Sequence, residues 1–353
     1  MTAVPQVDVE RAGQDELVRL VAGDVEIEVL SYGAHLVSVR WPDREGRVDD
    51  VVVSLRRADG TLDRAAYRDP RLNPHLGGMV GRYANRIGGA SFDLDGQRHR
   101  LVANEDANQL HGGPDGFDRR PWRVRTERSD DAAAAELSLV SVDGDQGYPG
   151  EVSVRTTYRL SVVGELSIET VATTDAPTVL SIANHSYWNL AGTTGLPGGA
   201  TVRDHVLRLD ADRIVVVDSS KVPTGELLAV VGTAFDLQAP VTIGEVLDRP
   251  EIRALGGLDH CYVLDQPITE RVAGFAELSD PASGRRIRLG TDQPGVQVYT
   301  ANHGAGPLPA HAAICLETQH LPDAPNRPSF PSAVLRPGET YRHRHVIRFS
   351  VDA

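Results

Sequence analysis

Val152-Ser153-Val154-Arg155-Thr156-Thr157-Tyr158-Arg159-Leu160-Ser161-Val162-Val163-Gly164-Glu165-Leu166-Ser167-Ile168-Glu169-Thr170-Val171 is the stretch that decides the fold class. Val152, Val154, Tyr158, Leu160 and Val162 keep a period of two through Arg155 and Arg159, the spacing of an extended chain with one dry face and one wet face. Gly164-Glu165 breaks the run and Leu166, Ile168 and Val171 follow, so residues 152–172 predict a long hairpin. The same period recurs outward from it. Val25, Ile27 and Val29 alternate with Glu26 and Glu28, a half-buried antiparallel strand. Phe92-Asp93-Leu94 and the run from Gln97 to Leu101 flank Asp95-Gly96, a strong hairpin signal. Glu277-Leu278-Ser279 and Arg286-Ile287-Arg288-Leu289 flank a Pro-Ala-Ser-Gly turn, and Val296, Val298 and Thr300 alternate with Gln297 and Tyr299. Helical signals are short: Thr242-Ile243-Gly244-Glu245 reads as a capping box, and Gly244 and Pro250 hold any helix to about two turns. Asp131 to Glu136 reads as an Ala-rich connection. The expected architecture is all-β, one large antiparallel β-sandwich spanning residues 1–353 with few short helices.

Bulk properties narrow the function by exclusion. The chain has 353 residues, and its 41% hydrophobic content is enough for a sizeable core. A net charge of −13 argues against non-specific binding to nucleic acid or to an anionic membrane surface. Two cysteines, Cys261 and Cys315, make neither a disulfide framework nor a CxxC metal spacing, although a single bridge between them stays open. The opening residues Met1 to Val9 lack a basic region followed by an apolar one, and no run of ~18 apolar residues occurs. A cytoplasmic protein acting on a neutral small molecule is expected, as a monomer or a homodimer.

Five segments resist a purely structural reading. Asn184-His185-Ser186-Tyr187-Trp188-Asn189-Leu190 turns polar and aromatic directly after the apolar run Thr178 to Ile182, a mixture suited to a polyhydroxylated ligand. Gly77 to Ile87 sets glycines around Asn85, Arg86 and Arg82. Arg82 reads as a solvated arginine of a glycine-rich corner, and Arg86 as a candidate for bidentate contact. His111 precedes Gly112-Gly113, which permit close approach of backbone or ligand. Asp259 stands beside His260 in an apolar turn-to-strand passage, where an Asx turn is the simpler reading. In Ile314-Cys315-Leu316-Glu317-Thr318-Gln319 the carboxylate of Glu317 lies within an apolar strand, so it must be paired, hydrogen-bonded or functional. His260, Cys261, His343 and His345 read as structural. No HxH or HxxxH pair occurs among the candidates, so no metal site is expected.

In unbroken order, Gly81–Ile87, His111-Gly112-Gly113, Asp143 to Gly150, Asn184–Leu190, Leu258-Asp259-His260, Pro294 to Tyr299, Leu316-Glu317-Thr318-Gln319 and Pro322-Asp323-Ala324 resemble the aldose 1-epimerase (galactose mutarotase) family, from about Val25 to Phe349. The resemblance implies a sandwich of the galactose mutarotase type and exchange of the α and β anomers of a free aldohexose, without cofactor or metal. It implies Glu317 as general base, His185 as general acid, and Asn85, Arg86, His111, Asp259 and Gln297 as residues that hold the sugar. Trp188 stands where the family commonly has phenylalanine, and Leu258 where an aromatic often precedes the aspartate. On this reading Glu317 is an ordinary ionised carboxylate, and Asp259 favours an imidazolium at His185. Tyr187 or Trp188 would cover a sugar face, a core role for Trp188 being the alternative. The rival readings are a non-catalytic sugar-binding module, a hexose-phosphate epimerase using Arg86 and Arg82, and a glycosidase with Asp259 and Glu317 as its carboxylate pair.

Overall fold

The computed structural model describes residues 4–193, 201–264, 272–304 and 309–352. Met1 to Ala3, the start of the segment read for a leader, lie outside them. The expected long hairpin forms from Val152–Ser161 and Glu165–Thr174, with Ser161 opposite Glu165 and Gly164 turning the chain at a φ of 73°. It lies within a nine-stranded sheet. Ala132–Ser141 and Arg123–Arg128 extend that sheet on one side. Tyr341–Val351, Arg285–Thr291, Ala273–Ser279, Val206–Leu209 and Val241–Thr242 follow on the other. A six-stranded sheet runs Tyr187–Trp188, Ile314–Gln319, Gly295–Tyr299, Asp259–Val263, Arg213–Val217, Pro223–Ala229. A five-stranded meander from Gln6–Ala12 to Val48–Asp50 completes the large sheets among the described residues.

One apolar core joins the three. Leu160, Ile168 and Ile347 come from the nine-stranded sheet, Trp188, Val296 and Leu316 from the six-stranded one, and Val18 and Ile27 from the meander. Sandwich packing of this kind follows from sheets that are apolar on one face. The expected all-β sandwich is the fold observed.

Two readings of local structure need correction. The Ala-rich connection is the start of a ten-residue strand, Ala132–Ser141, on which Ala133, Ala135 and Leu137 are fully buried and share a face. Alanine at four successive positions gives both faces the same residue, so the period of two cannot show there. Pro250 does end the capped helix Ile243–Asp248, whose box is closed by Thr242 and Glu245, but it also opens a second helix, Pro250–Ala254. Proline suits that position because the first helical N–H has no partner to lose.

Candidate active site

The six-stranded sheet supplies the floor of the site through strand alternation. Ile314 and Leu316 enter the main core, while Cys315, Glu317 and Gln319 point to the other face. Register sets Glu317 opposite Gln297, and Gln297 opposite Cys261. Asp259 is therefore the diagonal neighbour of Gln297, whose Nε2 donates to Asp259 Oδ1 at 2.7 Å. His185 is fixed through its backbone: its N–H donates to the Gly78 carbonyl and its carbonyl accepts from the Gly77 N–H, both at 2.9 Å. Its Nε2 ends 3.5 Å from Glu317 Oε1. Alternation also separates the two aromatics of the heptapeptide. Tyr187 faces the cavity and stacks on the His185 ring, centroids 5.0 Å apart, while Trp188 is buried in the core.

A glycine-rich corner makes the wall. Asn85 and His111 both adopt left-handed backbone, with φ of 63° and 51°. The two are cross-braced: the Asn85 N–H donates to His111 Nδ1 at 3.1 Å, and the His111 N–H donates to the Asn85 carbonyl at 3.0 Å. The Asn85 side-chain oxygen accepts from the Arg86 N–H at 2.8 Å. Gly112 explains itself: at a φ of 83°, an added Cβ would sit 1.9 Å from the Gly81 carbonyl oxygen. The close approach is of backbone to backbone. Arg86 makes its bidentate contact with Glu105, at 2.6 and 2.7 Å. Arg82 is not solvated. It is buried and donates to the carbonyls of Ser141, Val142 and Pro149 and to Ser141 Oγ, tying the corner to the Asp143–Gly150 loop.

These residues line a cavity of about 230 Å³, into which Asn85, Arg86, His111, His185, Asp259, Gln297 and Glu317 all converge. Every site residue expected from the sequence is there. Sequence reasoning missed further lining residues, among them Glu105, Lys221 and His75. Lys221 Nζ lies 2.7 Å from Asp259 Oδ2, and His75 Nδ1 lies 2.8 Å from Asp118 Oδ2. These three come from loops and turns without periodicity, where nothing in residue spacing marks them.

Burial changes the charge pattern expected from the sequence. Glu317 is 2% exposed, and burial, reinforced by the charge of Asp259 and opposed by Arg86, raises its carboxyl well above the usual range. Burial and the neighbouring His75 lower His185 to about 3, outweighing Asp118 and Asp259. An ionised Glu317 facing an imidazolium is thus not the resting arrangement, because each charge would lose its hydration without full repayment. With one proton between them, burial favours it on the carboxyl, and its transfer to His185 Nε2 gives the form expected from the sequence. Asp259 stays below its ordinary value: burial works to raise it, and Lys221, Arg86 and Gln297 overcome that. Glu317 Oε2, Gln297 Oε1 and His185 Nδ1 are buried without a partner among the described residues. Such atoms inside a cavity are hydrogen-bonding capacity held for a ligand.

His111, His185 and Glu317 offer atoms within 4.8 Å of one another, close enough to surround a cation. The tautomer opposes it. His111 Nδ1 accepts the Asn85 N–H, so the neutral ring carries its proton on Nε2 and offers a donor, not a lone pair. A donor, a carboxyl and an imidazole around a small polar cavity suit acid–base work on hydroxyl groups. The aldose 1-epimerase family model matches residues 16–348. The chain belongs to the aldose 1-epimerase family. Similar proteins include the galactose mutarotases of Bos taurus, 38% identical over 96% of this chain and 95% of that one, and of Homo sapiens, 37% identical with the same coverage. The aldose 1-epimerase of Escherichia coli K12 is 33% identical over 89% of each chain. Among solved structures, a galactose 1-epimerase from Lactobacillus acidophilus superposes with a TM-score of 0.83 at 26% identity, covering 99% of this chain and all of that one. This family member is an enzyme that interconverts sugar anomers.

Proposed function

We propose that the substrate is a free aldohexose such as D-galactose or D-glucose, and that Glu317 and His185 exchange its anomers by opening and reclosing the ring. The convergence of Glu317 Oε1 and His185 Nε2 to 3.5 Å at the cavity floor carries this reading. From the form with the proton on His185, Glu317 takes the proton of the anomeric hydroxyl while Nε2 gives its proton to the ring oxygen. The C1–O5 bond breaks and leaves an open-chain aldehyde. Glu317 is then a carboxylic acid and His185 a neutral imidazole, the protonation pattern that burial favours. Rotation about C1–C2 presents the other carbonyl face, and closure returns both protons. No leaving group has to be stored. The His111 donor, Arg86, Asn85, Gln297 and Asp259 hold the hydroxyls.

A phosphorylated sugar is disfavoured, since the cavity's two fixed cations are spent: Arg86 on Glu105 and Lys221 on Asp259. A binding module without catalysis has no use for a buried acid–base pair that costs stability. The chain is read as one sandwich domain, working in hexose metabolism in the cytoplasm. Among the described residues, no helix is long and apolar enough to cross a membrane. Polarimetry on freshly dissolved α-D-galactose and α-D-glucose tests the substrate assignment. The wild type is expected to accelerate the drift of rotation for at least one, and an unchanged drift for both would remove free hexoses of this kind.

A further inference from the structure

Lysine and arginine together number 36 in this chain, and Lys221 is the one lysine. It sits at the catalytic cavity. The turn between Arg213–Val217 and Pro223–Ala229 presents it: the Lys221 N–H donates to the Asp218 carbonyl at 3.0 Å, the Asp218 N–H donates to the Val222 carbonyl at 2.9 Å, and Lys221 has a φ of 60°. Its side chain is 45% exposed, yet the ammonium reaches inward to Asp259 Oδ2 at 2.7 Å, where the carboxylate is 18% exposed. The pair stands on the wall between two spaces. Both residues line the catalytic cavity and an adjoining one of about 470 Å³.

The choice of lysine in so arginine-rich a chain has a geometric reason. An arginine fork takes both oxygens of a carboxylate, whereas an ammonium is a compact point charge that binds one. Asp259 Oδ1 already accepts from Gln297 Nε2, and Gln297 lies opposite Glu317 in the sheet. A single-point cation on Oδ2 leaves that second bond intact.

We propose that Lys221 is a positioning residue for the anomer exchange, fixing Asp259 by one oxygen and cancelling its charge beside Glu317. The proposal rests on the assignment of Glu317 as the base. Among the groups that face Glu317, Asp259 is the charge that resists its ionisation, and Arg86, held by Glu105, is the charge that favours it. Burial favours the neutral imidazole at His111 and His185, Tyr187, Tyr299, Cys261 and Cys315 all titrate above their ordinary values, and His303 lines the same cavity. His75, paired with Asp118, lies beyond the two imidazoles. Lys221 acts on this set through Asp259, for which it is the first of the groups opposing burial.

The test is the pH profile of kcat/KM. With Lys221→Met, the uncompensated Asp259 charge should make Glu317 keep its proton to higher pH. Because the working pair carries one shared proton, loss of that proton sets the alkaline limb, which should move up by about one pH unit. Lys221→Arg restores the charge and should bring the limb back toward wild type. Because this is the sole lysine, acetylating the wild-type protein should reproduce the Lys221→Met shift, and reductive methylation, which keeps the charge, should not. The Lys221→Arg protein controls for the terminal amine. An unmoved alkaline limb in Lys221→Met, alongside an inactive Glu317→Gln, would overturn the role of Lys221 alone. A Glu317→Gln enzyme with wild-type rate would instead remove the base assignment and this proposal with it.

Discussion

Glu317 and Arg86 show how single side chains are made fit for the site. Glu317 is buried so deeply that its charge is costly, which makes it a stronger proton acceptor once a substrate hydroxyl supplies a partner. Arg86 is held in plane by the two oxygens of Glu105, so its orientation does not wait for the sugar. Replacing Glu105 with Gln removes one charge-assisted contact while leaving a neutral acceptor. KM should rise about tenfold with kcat nearly unchanged, as for a loss of uniform binding. Steady-state kinetics check this, and an unchanged KM would show that Arg86 is positioned without Glu105. Glu317, His185, Arg86 and His111 were legible in the sequence because each interrupts an apolar or glycine-rich run, whereas Asn85, Asp259 and Gln297 were marked as sugar-holding residues by the family resemblance. Glu105 and Lys221 were not, since a salt-bridge partner in a polar loop looks like any solvated charge until the fold brings the two together.

At the scale of elements, alternation along short strands decides which residues can touch a substrate. Tyr187 pairs with Cys315 and faces the cavity, and Trp188 pairs with Ile314 and faces the core. The departure at Trp188 is therefore one of packing. Trp188→Phe should cost about 1–3 kcal/mol of stability through the space left behind. The ratio of kcat/KM for galactose over glucose should not change, and a changed ratio would return the ring to the site. Strand periodicity made most of the sheet order's raw material readable, including the 152–172 hairpin and the turn at Asp95-Gly96. It failed at Ala132–Ser141, where the small residues that pack in the same core as Val18 and Leu20 also erase the pattern. It could not predict the corner at Asn85 and His111 either, because two left-handed residues braced against each other are a tertiary outcome.

Across the whole molecule, buried histidines make the protein sensitive to acid. Burial lowers His35, His205 and His320 to about 4, and His185 and His345 to about 3. Each is neutral in the folded protein at pH 5, whereas an unfolded chain protonates it below about 6.5. The unfolded state then binds more protons, so stability falls as pH drops through 6.5 toward these lowered values, by about 1.4 kcal/mol per unit per histidine. Glu317, Asp50 and Asp323, which burial raises, act in the opposite sense, costing stability as pH rises above the ordinary carboxyl value. His111, His260 and His343 are lowered as well, so the histidines outnumber them. The thermal midpoint should fall steeply between pH 6.5 and 5. His345, whose two ring nitrogens have no partner among the described residues, is the one to remove: His345→Leu should keep more of its midpoint at pH 5 than the wild type. A flat midpoint over that range would contradict the buried-neutral assignment.

The central claim is that Glu317 and His185 together move the two protons of ring opening. Exchange NMR on the anomeric protons of equilibrated D-galactose measures the α-to-β rate directly, for the wild type and for folded Glu317→Gln and His185→Asn proteins. The account predicts that each variant loses about 10²–10⁴-fold in enzymatic exchange rate. It also predicts that the double variant is little worse than either single, because the residues act as one unit. Exchange at the wild-type rate in either single variant would contradict it.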